Sequence, residues 1–164
     1  MRTFGLGLAA FCAVLAGCEG GTGSGSGISG PAPTYEDIAG EYSSPVTASS
    51  PGMTLTGTMY LFLSQTGGTF TGSYAVVGTL EEGLASEQVT LLGAVVNGTL
   101  ALGTNPALQM DLSPTGCGVT FVRNSGTYAS ALKNITLSPA TIPVQDLACS
   151  GILRSVTDTL TFVQ

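Results

Sequence analysis

The chain has 164 residues, a formal charge of −6, 43% hydrophobic and 9% charged residues, and neither His nor Trp. Without imidazole there is no Ser–His or Cys–His nucleophile pair and no His ligand for zinc. An acidic chain also lacks the basic face that displaces counterions from phosphate, so no nucleic-acid partner is expected. One domain is expected at this length, and nothing in the composition calls for an enzyme, a cofactor or a metal.

The first segment has three parts. Arg2 supplies a positive start, Phe4 to Ala16 is an apolar run, and Leu15-Ala16-Gly17-Cys18 closes it. A run of 13 residues is too short to cross a hydrocarbon core of roughly 30 Å, which takes about 20. Residues 1–17 therefore read as a signal peptide. The closing residues resemble the lipobox of bacterial lipoproteins. That resemblance implies that Cys18 is acylated and becomes the mature N-terminus. It places the protein in the bacterial cell envelope with the membrane as its partner; inner and outer membrane both stay open, with the outer membrane, facing periplasm or surface, as the expectation. Two or more acyl chains on one residue hold a protein stably where one does not.

Residues 18–34 follow as a flexible Gly/Ser/Pro tether, since EGGTGSGSGISGPAPT has little to bury. The tether contains a G-x-G-x-x-G at Gly25, Gly27 and Gly30. No strand precedes it and no helix follows, so a dinucleotide site is not expected.

Residues 35–164 read as a single all-β domain. In Met53 to Ser64, Met53, Leu55, Gly57, Met59, Leu61 and Leu63 share one parity, and the threonines, Tyr60 and Phe62 share the other. That alternation is a half-buried strand. Gln65-Thr66-Gly67-Gly68 turns the chain into Thr69 to Val77, where Phe70, Gly72, Tyr74 and Val76 alternate. Glu81-Glu82-Gly83 marks a loop, and Val89, Leu91, Gly93 and Val95 form the next face. Asn97-Gly98 carries a type I′ hairpin signature before Leu100 and Leu102. Thr104-Asn105-Pro106 and Pro114-Thr115-Gly116 bracket Leu108, Met110 and Leu112. Cys117, Val119 and Phe121 alternate next, and Asn124-Ser125-Gly126 reads as a turn leading to Tyr128. Ile135 and Leu137 make a short piece, Pro139 and Pro143 bound an irregular stretch, and Val156, Leu160 and Phe162 share the last face.

Eight to ten strands joined by short turns suit an up-and-down barrel of about eight strands or a two-sheet β-sandwich. Consecutive hairpins favour the barrel. Glycines inside the strands, such as Gly57, Gly72 and Gly93, suit bulges or sharp curvature.

Cys12 leaves with the signal and Cys18 is the anchor, so Cys117 and Cys149 remain. An even pair in an exported domain is expected to form a disulfide. With no His, and with a spacing far from C-x-x-C, neither metal nor redox chemistry is expected of them. Glu81, Glu82 and Glu87 lack the alternating acidic pattern of a calcium loop.

Asp158 falls on the inward parity of the last strand, where an unpaired carboxylate is costly. It must lie at a rim, find a partner or serve a ligand. The segments Ile38-Ala39-Gly40-Glu41-Tyr42, Phe70-Thr71-Gly72-Ser73-Tyr74 and Thr157-Asp158-Thr159-Leu160-Thr161-Phe162 resemble strand signatures of avidin-type barrels within the calycin-like group. The resemblance implies that Tyr74 and Asp158 line a pocket, with Ser43 or Ser44 as a further candidate. Avidins line that pocket with tryptophan, so biotin is not implied here.

Two functions follow as expectations. One is a lipid-anchored barrel holding a small apolar or amphiphilic ligand. The other is a non-catalytic structural or interaction protein of the envelope with a filled core. Volume separates them: an interior filled by Met59, Leu61, Phe70, Leu91, Met110 and Phe121 leaves no room for cargo.

Overall fold

The computed structural model describes residues 34–116, 121–145, 152–157 and 159–164. These residues form ten β-strand segments and no helix. The strands are β1 (Gly40–Ser50), β2 (Met53–Thr66), β3 (Thr69–Glu82), β4 (Ala85–Leu100) and β5 (Ala107–Pro114). They continue as β6 (Val122–Ala129), β7 (Asn134–Leu137), β8 (Ala140–Gln145), β9 (Ile152–Thr157) and β10 (Leu160–Val163).

Every pairing is antiparallel, and β1 to β7 follow one another as neighbours. β10 then pairs with β7 on one side and with β1, at Ser43↔Val163, on the other. The result is a closed eight-stranded antiparallel barrel, consistent with a calycin-like fold and not with an open sandwich. Closure removes free sheet edges along this ring. β8 and β9 form a further hairpin that joins β1 at Ser49↔Val156.

Alternation builds the inside. Tyr42, Val46 and Ala48 of β1, Leu55, Met59, Leu61 and Leu63 of β2, and Phe70, Tyr74 and Val76 of β3 are all buried. The same core receives Val89 and Val95, then Leu108, Met110 and Leu112, then Tyr128, Ile135, Leu137, Leu160 and Phe162. Opposite parities carry the hydroxyls: Thr47, Thr56, Ser64, Thr71 and Ser73 are exposed. The sheet curls tightly because three glycines admit close approaches. A Cβ on Gly57 would meet the Val77 carbonyl and Gly78 backbone, one on Gly72 would meet the Phe62 carbonyl, and one on Gly93 would meet the Tyr74 ring.

Four local expectations are corrected. Asn97-Gly98 is no hairpin turn but a bulge within β4, where the register to β5 shifts between Val96 and Thr99. Asn97 has a positive φ of 51°, which a type I′ turn and a bulge of the left-handed kind have in common. The reversal comes later, over 101–106, with Asn105 at φ 52° and Leu102 exposed. Asn124-Ser125-Gly126 lies inside β6, paired with Met110, Gln109 and Leu108.

The stretch after Pro139 is strand β8, which tolerates Pro143 because it ends the sheet order and is laddered on one side. Finally, Phe121 is not inside: it is 45% exposed. Cys117 and Val119, which the alternation paired with it, lie outside the described residues.

The buried Asn124 explains how β8 attaches to the wall. Its side-chain N–H groups donate to the carbonyls of Thr141 (3.0 Å) and Val122 (3.4 Å), and its Oδ1 accepts from the Thr141 N–H at 2.6 Å. One amide thus supplies, between β6 and β8, the donor and acceptor that a backbone ladder would otherwise provide.

At the end where β1 begins, the connections are tied together. Gln65 accepts from the Ile38 N–H (2.7 Å) and donates to the carbonyls of Glu36 and Gly67, both at 2.8 Å. The Leu100 N–H donates to the Gly68 carbonyl (2.8 Å), and the Ser130 N–H donates to Asn105 Oδ1 (3.2 Å). Tyr128 reaches across to the Asp37 carbonyl at 3.2 Å.

Candidate functional site

Of the pocket candidates, the structure places Tyr74 and Ser44 inside the barrel, whereas Ser43 is exposed on the outer face of β1. Asp158 lies outside the described residues, as do Cys18, Cys117 and Cys149. Ser44 faces inward on β1 and is buried, and its hydroxyl donates to the neighbouring Pro45 carbonyl at 3.2 Å. Tyr74 faces inward on β3, opposite Leu61 of β2 and Gly93 of β4. The two are not brought together. Ser44 pairs with Met59 and Tyr74 with Leu61, so these buried β2 side chains stand between them.

Tyr74 is 2% exposed and its hydroxyl has no hydrogen-bond partner among the described residues. The ring lies over Gly93, whose missing side chain makes the space it occupies. A buried hydroxyl without a partner costs about 1–3 kcal/mol. Tyr74→Phe is therefore expected to stabilise the barrel by about 1 kcal/mol, read as a higher urea midpoint at constant m. A lower midpoint would show that the hydroxyl has a partner.

Tyr42 and Tyr128 meet the lead-in segment near its junction with β1: Tyr42 donates to the Ile38 carbonyl at 2.9 Å. Burial pushes the phenols of Tyr42, Tyr74 and Tyr128 above their ordinary value of 10.0, and the Tyr128 phenol raises Tyr42 further. Each folded phenol keeps its proton where the unfolded chain begins to lose it. Their contribution is complete below pH 10 and is lost as pH climbs above it. Urea midpoints should hold steady from about pH 7 to 9 and fall beyond 10, Tyr74 alone contributing up to about 1.4 kcal/mol per pH unit. Equal midpoints at pH 9 and 11 would contradict this.

The sequence reading missed one charged group. Asp111 stands on the outward parity of β5 yet is 1% exposed, because its neighbours close over it. Arg123 of β6 donates from Nε to Oδ1 (2.9 Å) and from Nη2 to Oδ2 (3.1 Å), and Asn97 donates to Oδ2 at 3.2 Å. These bonds, Arg123 foremost, hold the carboxyl below its ordinary 3.8. The bulge at Asn97 is what brings its amide within reach. Both carboxylate oxygens are occupied, so the group fastens β4, β5 and β6 and offers no free base.

A shallow groove of about 370 Å³ runs over the outer wall of β4 to β6, with Thr99, Ala101, Ala107, Gln109 and Ser125 in its lining. It offers hydroxyls and one amide but no charge. Among the described residues no three His, Cys, Asp or Glu side chains gather to hold a metal ion. Glu81, Glu82 and Glu87 lie on the exposed outer part of the β3–β4 hairpin, around the Gly83–Leu84 turn.

Of the six residues expected to fill the interior, five lie in or against the core and Phe121 lies outside it. Met59, Leu61, Phe70 and Met110 are at most 1% exposed and Leu91 packs against them. Compared with known protein families, with functionally described proteins and with solved structures, the chain matches none.

Proposed function

We propose that this is a lipid-anchored protein of the bacterial envelope, held by an acylated Cys18, whose barrel serves a structural or interaction role without catalysis or cargo. The observation that carries the reading is the packing of the core. Side chains with essentially no exposed surface occupy the middle of the barrel, and a cavity large enough for water beside them would leave them accessible. The charge-poor, hydroxyl-rich wall supports a function on the outside, through hydrogen bonds rather than strong fields.

A second reading draws on Tyr74, whose buried and unpartnered hydroxyl is what a polar ligand would seek. Native mass spectrometry of the protein purified from its own host, compared with denatured protein, separates the two. The filled-barrel reading expects one species that carries only its acyl groups, and a disulfide between Cys117 and Cys149 would lower that mass by two daltons. A stoichiometric small molecule lost on denaturation would overturn it in favour of the ligand-binding barrel.

A further inference from the structure

Nine large hydrophobic side chains are exposed among the described residues. Tyr35, Leu84, Leu102, Phe121 and Leu132 sit one by one outside the strands, as single apolar residues commonly do. The other four, Phe62, Val77, Leu92 and Val163, gather on one stretch of outer wall. The register sets them side by side. Val163 pairs with Ser43, Ser43 with Tyr60, Tyr60 with Ala75 and Ala75 with Leu92, which makes one outward row across five strands. The row to one side runs Phe62, Ser73, Ala94, and the row to the other runs Pro45, Thr58, Val77, Thr90. Phe62 is 42%, Val77 47% and Leu92 56% exposed, whereas Ala75 and Ala94 are half-buried. The wall thus carries projecting side chains beside a hollow floored by small ones.

We propose that this wall, centred on β2 to β4, is where two copies of the chain pair face to face. The proposal deepens the outward-facing role proposed above by naming the partner, and it needs no acyl anchor. Charge selects a second copy. A chain of net charge −6 repels itself wherever its carboxylates meet. On this wall none do: the outward residues of β2 from Thr54 to Ser64, of β3 from Thr69 to Thr79 and of β4 from Gln88 to Val96 include no charged side chain. Glu36, Asp37 and Glu41 lie at one margin, Glu81, Glu82 and Glu87 at the other, and Asp111 on β5 is paired with Arg123. A steep crossing of the two walls, as in orthogonally packed sheets, holds those acidic margins apart.

Shape and area agree with the same partner. An isologous contact needs one surface to offer both projections and hollows. A two-fold axis lying in the interface sets Phe62 and Leu92 of one copy against the Ala75 and Ala94 hollow of the other. Four strands about 4.8 Å apart, over about nine residues rising about 3.3 Å each, give a footprint of roughly 500 Å² before side-chain relief is counted. The low end of specific interfaces takes about 600 Å² from each partner. The pair should accordingly be weak and in exchange with the monomer.

Full chains with two different affinity tags would be co-expressed in a bacterial host, with photoreactive p-benzoylphenylalanine in place of Val77. The control carries it in place of Thr127, exposed on β6 three strands around the ring. After illumination, capture by one tag should recover the other tag joined covalently at position 77, at least about fivefold more than at position 127. Leu92→Glu brings two carboxylates into the contact and should reduce that cross-link at least about tenfold. Leu92→Thr, which keeps a strand-forming residue, should reduce it at least about twofold. Leu92 is exposed, so the urea midpoints of both variants should match the parent and the losses report pairing. Were the Leu92→Glu midpoint to fall, Leu92→Thr alone decides. Cross-linking between tags that is equal at 77 and 127, absent at 77, or untouched by the Leu92 variants would overturn the dimer. A cross-link from 77 only to a different protein or to lipid would overturn it too, and give the wall to that partner. Failure of the dimer leaves the filled, outward-acting barrel standing. A small molecule released in the native mass measurement would instead sink that barrel while leaving the pairing at this wall intact.

Discussion

Replacing Gly57 by valine is expected to destabilise the barrel by about 3 kcal/mol or more, a large share of the roughly 5–15 kcal/mol by which an ordinary domain is stable. Gly57 of β2 is paired with Gly78 of β3, and each lies against the other's backbone. A side chain at Gly57 meets the Val77 carbonyl and the Gly78 Cα, neither of which can turn aside as a flexible side chain would. The strands must separate, and with them the ladder between two of the longest strands of the wall. Thr58→Val, one residue along on the outer parity, serves as the control and should shift the urea midpoint little. A Gly57→Val protein with an unchanged midpoint would show that the two strands do not approach as described.

The second large effect is expected at Asn124. Asn124→Leu preserves the approximate volume but leaves the Thr141 N–H and carbonyl without the partners that the amide supplied. Each unsatisfied buried group costs about 1–3 kcal/mol, so a loss of roughly 2–4 kcal/mol is expected if β8 stays in place. If β8 instead swings away to reach water, the cost is smaller and local. Amide exchange distinguishes these outcomes: the Thr141 N–H should lose protection far more than those of β2 and β3. A Thr141 amide equally protected in both proteins would show that Asn124 does not fasten β8.

Much of the wall was legible because alternation is a direct imprint of burial. The parity of Met53 to Leu63, with apolar residues in and threonines out, is the parity observed, and the hairpin at Gly67–Gly68 follows from it. The strand glycines were legible as curvature, although not which neighbour each would admit. Where the reading went astray, one local conformation serves two larger structures. Asn97 with a positive φ suits a type I′ turn and a left-handed bulge alike, and only the partner strand decides. Asn124-Ser125-Gly126 has turn composition, but Asn124 puts its hydrogen-bonding capacity into the wall itself.

The candidate site was less legible than the fold. Tyr74 was placed inward correctly by period two, but its distance from Ser44 depends on which residues of β2 lie between them. Asp111 could not be singled out, since its burial comes from Arg123 and Asn97 on two other strands. An outward carboxylate in a strand ordinarily faces water, and local sequence holds no sign of the exception.

Closure of the barrel is tested most directly at the seam between first and last strands. In an isotope-labelled sample, a nuclear Overhauser effect should link Ser43 with Val163, which are register partners although 120 positions apart in sequence. The β10 amides should exchange as slowly as those of β2. No cross-peak at the seam, with rapid exchange along β10, would mean that the sheet is open and that its apolar face has no enclosed interior to fill.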